Sequence, residues 1–183
     1  ILQNKTEYEK NVRGRPKFAV LDIGLSGFED LFDIRQRLKV EIAGTRMSLA
    51  AYGFVVANNR LPPALAAVRP AYTKGAPIDK DPYSSPRNRL DLQYFIPGKD
   101  TPRGPQGQEV AYVIGMFPPK PFPEFEVPLR SDQFVIYSVG KDDLPSMCLN
   151  ATQSRSGVRG DYLLWPPFMS LGREYLKGKN ELR

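Results

Sequence analysis

The chain of 183 residues contains no histidine and a single cysteine. Without histidine it lacks the commonest general base and the commonest transition-metal ligand. With Cys148 alone it can close no disulfide within itself and cannot build a cysteine-rich zinc site. A nucleophilic role for Cys148 would lack the usual imidazole to activate it, so a small buried or loop residue is the plainer reading. No stretch reaches the roughly 18 consecutive apolar residues that a membrane span needs. "SLAAYGFVVA" is too short for one and belongs to an amphipathic pattern. The mean hydropathy is −0.40. The opening "ILQNKTEYEK" has neither a start Met nor a signal peptide. That leads to the expectation of a fragment, a mature form or a truncated chain, with any anchor or address lying upstream.

What is present is basic. Lys and Arg number 26 against 20 Asp and Glu, a net charge of +6. Such a balance attracts anionic surfaces in general. The cations are scattered, though, and do not interleave with aromatics as in a nucleic-acid module. The expectation is a solvated surface and no nucleic-acid partner.

Proline divides the chain. From Phe28 to Asn58 there is none, and Leu31, Ile34, Leu38, Ile42, Thr45, Leu49, Tyr52 and Val56 recur at steps of three and four. That spacing predicts one face of a long helix, packed on whatever follows. Residues 1–27 then read as an N-terminal extension and 28–183 as the globular domain. "KFAVLDIG" reads as a strand or packed connector, punctuated by Gly24 and Gly27. Gly44 and Gly53 cost helicity and mark places where another element comes close. The helix should stop at "NNRLPP", where Asn58 or Asn59 takes a left-handed cap and Pro62–Pro63 cannot continue.

From Pro62 to Pro128 proline is dense. A short helix is expected over 64–68. "LDLQYFIPG", "EVAYVIGMF", "DQFVIYSVG" and "DYLLWPP" read as strands. "PPKPFPEFEVPLR" cannot pair as a central strand, and the loop "MFPPKPFPEFEVP" either covers the sheet with Phe117, Phe122 and Phe125 buried or presents them as a partner-binding surface. "FMSLGREYLKGKNELR" reads as a terminal helix. Strands that follow a helix, rather than alternate with helices, indicate an α+β fold. The expected architecture is a long N-terminal helix on a three- to four-stranded antiparallel sheet with long Pro-rich loops.

Four landmarks stand in order: "NNRLPPAL", "IDKDPYSSPRNRLDLQYFI", "FVIYSVGKDD" and "GDYLLWP". Together they resemble the soluble domain of type II secretion major pseudopilins and the wider type IV pilin-like family, over roughly 28–167. Arg60, Leu61 and Pro62 stand at the helix-ending Arg-Tyr-Pro, with Leu in place of Tyr. Asp81, Pro82 and Tyr83 match the Asp-Pro-aromatic turn, and Tyr94 the strand tyrosine. Tyr137, Ser138, Val139 and Gly140 match the Tyr-Ser-x-Gly strand end, Asp142 the loop aspartate, and Asp161 and Trp165 the closing segment. The family's hydrophobic N-terminal segment is absent from these residues, and the insertion over 97–128 is long for it.

The resemblance implies a pilin-like fold and a non-enzymatic subunit of a secretion or pilus-type apparatus. It would act by assembly with other pilin-like subunits or apparatus proteins. It would face the periplasm or cell surface, anchored in the inner membrane through an upstream segment. An exported binding module or a hydrolase on the same scaffold is the rival expectation. The family's Gly-rich, acid-rich calcium loop is not preserved here, the matching loop being longer, and Ca²⁺ is the only cofactor the resemblance leaves to test. Asp142, Asp143 and Asp161 are its candidate ligands, helped by Ser146, Asn150 and loop carbonyls. Arg155 and Arg159 nearby oppose a cation.

Overall fold

The computed structural model describes residues 19–68, 71–73, 80–103, 105–108, 110–117, 124–152 and 160–179. The expectations placed on residues 1–18, on Phe122 and on Arg155 and Arg159 lie outside these. The chain divides into two compact units, Ile1–Leu38 and Lys39–Arg183. The architecture is α+β, with two α-helices and small sheets.

Helix α1 is Ala19–Asn58. It runs through Gly24 and Gly27, which the sequence suggested as breaks, and through most of "KFAVLDIG", which was expected to be a strand or connector. No proline occurs between Pro16 and Pro62, and a glycine inside a helix costs only about 1 kcal/mol. The helix ends where expected. Asn59 adopts a left-handed φ of 50°, its N–H donates to the Val55 carbonyl at 2.8 Å, and Pro62 follows. A 3-10 turn, Leu65–Val68, replaces the short helix predicted there.

The strands are β1 (Gln93–Phe95), β2 (Tyr112–Phe117), β3 (Phe125–Leu129), β4 (Val135–Ser138), β5 (Asn150–Thr152) and β6 (Tyr162–Trp165). Helix α2, Phe168–Gly178, follows. The single three- to four-stranded antiparallel sheet of the sequence reading is corrected here to two three-stranded sheets. One has the order β1-β4-β6 and is antiparallel throughout. The other has the order β3-β2-β5, and its β2–β5 pair is parallel. The reason lies in the segment between β1 and β4, which supplies its own strand pair. Pro128 is tolerated because β3 is an edge strand, where a missing N–H costs no ladder bond. β5 comes from the segment between β4 and β6, where the sequence reading placed no strand.

Strand β4 is buried on both faces. Its Ile136 joins Ala43, Met47, Ala50, Ala51 and Phe54 of α1 in one core. Its Val135 and Tyr137 join Ile114, Met116, Phe125, Val127 and Leu171 in the other. The alternation follows from the two-residue period of a strand. Phe125 stacks on Tyr175 of α2 with ring centroids 4.8 Å apart.

The helix face that packs is not the predicted one. Successive residues turn by about 100° around a helix. Val40, Ala43, Met47, Ala51 and Phe54 fall on one side and are buried. Ile42, Leu49, Tyr52 and Val56 fall on the opposite side and are exposed, Leu49 by 67% and Val56 by 85%. In the other unit Leu31, Ile34 and Leu38 of the predicted stripe are exposed as well. A small residue is needed where the packed face runs close to β6. A Cβ built on Gly44 would lie 2.8 Å from the Leu164 side chain, so only glycine fits there unmoved.

Candidate functional site

The loops at the C-terminal end of β4 are organised by carboxylates, each meeting neutral donors. Asp81 opens the "DPY" turn and accepts the Tyr83 N–H at 2.9 Å, closing the local turn expected of Asp before Pro. It also accepts the Ser138 hydroxyl and the Val139 N–H, both at 2.8 Å. Burial pushes its carboxyl above the usual range, and these hydrogen bonds pull against that. Two motifs picked out separately in the sequence, "DPY" and "YSVG", are therefore one contact. Gly140, next in line, has φ 68°, and a Cβ there would meet the Gly160 carbonyl at 2.2 Å. The turn that follows the strand is thus glycine by necessity.

Asp143 is in the left-handed region at φ 58°. It accepts the Ser85 hydroxyl at 2.6 Å and the Ser85 N–H at 3.3 Å, and also the Asn88 amide. The Ser85 hydroxyl, foremost among these donors, holds its carboxyl below the usual range. Asp161 is fully buried. It accepts the Cys148 N–H at 2.7 Å, the Ser146 hydroxyl at 2.7 Å and the Ser146 N–H at 3.0 Å. Burial raises its carboxyl, and the charge of Asp142 adds to the rise. Cys148 is buried too, and burial pushes its thiol up, so it sits as a neutral side chain.

Of the three proposed calcium ligands, Asp143 and Asp161 thus hold separate loops. Among the described residues no group of three or more His, Cys, Asp or Glu is placed to hold a metal ion. The sequence reading missed Ser85 and Asn88 as partners of Asp143. Their signal was the Ser/Pro/Asn turn "SSPRN", where short polar side chains bond to backbone and to each other.

A second feature lies on α1. Tyr52 stands edge-on to Trp165 and to Phe134, with centroids 5.1 and 5.5 Å away. Phe134 in turn stacks on Trp165 and on Tyr94 at 6.0 Å. The Tyr94 hydroxyl donates to the Pro62 carbonyl at 2.6 Å, tying the strand tyrosine to the residues that end the helix. This ladder braces α1 from beneath while Leu49, Tyr52 and Val56 stay open to solvent. No described helix is long and apolar enough to cross a membrane.

No family model, curated protein or solved structure matches the chain.

Proposed function

We propose that this chain is a non-enzymatic, pilin-like (pseudopilin) subunit of a secretion or pilus-type apparatus, acting by assembly of a filament or complex. Its globular part faces the periplasm or the cell surface, and an upstream segment anchors it in the inner membrane. The observation that carries the reading is the open apolar face of α1, with Ile42, Leu49, Tyr52 and Val56 all exposed opposite a packed face. A helix that is apolar on two opposite sides has one side left over for another chain. The resemblance gains support from its landmarks meeting in pairs: Asp81 with Ser138 and Val139, and Tyr94 with Pro62.

The test is complementation of a deletion strain with Leu49→Asp and Val56→Asp. The expected result is loss of secretion or of surface filaments while the purified variants keep their melting temperature. Intact assembly with both variants would sink the proposal and favour a binding module or hydrolase on this scaffold.

Calcium at Asp142, Asp143 and Asp161 is a separable part of the proposal. A cation there has to draw Asp143 away from Ser85 and Asn88, or Asp161 away from Ser146. Its test is the melting temperature with millimolar Ca²⁺, in the wild type and in Asp142→Ala. A rise lost in the variant supports the site. An unchanged wild type removes calcium and leaves the assembly reading in place.

A further inference from the structure

We infer that the exposed face of α1 in the Lys39–Arg183 unit docks a helix of a different protein, one that carries carboxylates along the flank of its own apolar stripe. The inference rests on the assembly reading for the face being a docking surface, and it adds the chemistry of the partner.

The two flanks of the stripe carry opposite charge. Lys39 and Arg46 are exposed on the same flank, next to Ile42. Neither is paired with a carboxylate among the described residues. The opposite flank carries Glu41, which is half-buried and already accepts the Tyr162 hydroxyl.

A second copy of this chain fits that arrangement poorly. Antiparallel pairing of two identical stripes sets like flank against like flank, so Lys39 and Arg46 meet their own counterparts. Parallel pairing sets the cationic flank against the other one, where a single engaged carboxylate faces two cations. Flanking charges set partner choice and orientation in helix pairs, and like charges brought together across an interface disfavour the wrong partner. The net charge of +6 acts in the same direction at longer range. A partner helix with Glu or Asp along its flank satisfies both cations and covers Leu49, Tyr52 and Val56.

The chain carries its own reporter. Trp165 is the only tryptophan, and its ring lies 5.1 Å from that of Tyr52, so its emission responds to occupation of the face. The experiment titrates the full chain with two synthetic amphipathic peptides that share a leucine stripe and differ only in having Glu or Lys along the flank. The Glu peptide is expected to bind about tenfold tighter, with the gap narrowing at high salt. In the double variant Lys39→Glu, Arg46→Glu the preference should reverse. Both substitutions are on exposed residues and leave the core untouched.

Equal binding of the two peptides, with no effect of the double variant, overturns the charge selection. If Val56→Asp abolishes both in that case, the face still docks helices and the assembly reading survives. Silence of both peptides together with self-association in sedimentation overturns the inference in favour of a second copy. Binding only to vesicles containing phosphatidylglycerol overturns it in favour of a lipid surface.

Discussion

The two faces of α1 are both apolar and differ in what they meet. The packed face is built of Val40, Ala43, Gly44, Met47, Ala51 and Phe54, and the open face of Ile42, Leu49, Tyr52 and Val56. The packed face has small residues where the helix comes within contact distance of Leu164, and a larger side chain there would push the helix away. On the open face only Tyr52 meets aromatic rings of the chain, at Phe134 and Trp165, and Ile42, Leu49 and Val56 are bulky side chains left to contact something else. Apolar character alone does not say which face seals the molecule's own core. Close approach does, and small residues permit it.

The largest effect that separates the faces is expected at Met47, which is fully buried. Met47→Ala should cost about 2–5 kcal/mol in urea unfolding, the range for deleting a large core side chain. A loss no bigger than that of an exposed substitution would break the comparison. Next comes Gly44→Ala. A Cβ 2.8 Å from Leu164 overpacks the contact, for about 1–3 kcal/mol, and Leu164→Ala in the same chain should recover part of the loss.

A smaller effect is expected in the pH dependence at Asp81. Its carboxyl is raised by burial above the ordinary 3.8, so the folded state holds the proton more readily than the unfolded. The stabilisation this brings is full below the ordinary aspartate value and is lost as pH rises through the folded one. Between those two values, acidification should therefore stabilise the wild type relative to Asp81→Asn, read as the change in urea midpoint difference from neutral to acid pH. The smallest effect is that of Leu49→Ser, within about 0.5 kcal/mol on stability. If that substitution unfolds the protein, the open face is not open.

Much of the fold was legible. The proline-free stretch predicted the helix, "NNRLPP" its end, and the alternation of Leu92, Tyr94 and Ile96 the neighbourhood of β1. "DYLLWPP" and "FMSLGREYLKG" became β6 and α2. The choice of helix face failed because the periodicity was followed through the large side chains, while Ala43, Ala50 and Ala51 carried an equally regular signal on the other side. The second sheet was hidden by proline. "FEVPL" reads as an excursion until its neighbour is known, since an edge strand needs ladder bonds on one side only. At the site, the Asp-Pro turn was visible in the sequence. The burial of Asp161 was not, because nothing in a sequence says that the Ser146 and Cys148 amides will converge on one carboxylate.

The Asp81 clasp has a consequence for how this chain tolerates change. Its bond to Ser138 spans 57 positions and ties off a ring that contains β1, β2, β3 and the prolines from Pro82 to Pro128. Once a ring is closed, its length weighs little: each doubling of a flexible loop costs only about 0.6 kcal/mol. The exposed turn at 105–108 inside the ring can therefore lengthen or shorten, while β1 stays paired with β4 and Ile114 and Met116 stay in the core. The clasp makes that turn the natural point of variation on an otherwise fixed frame.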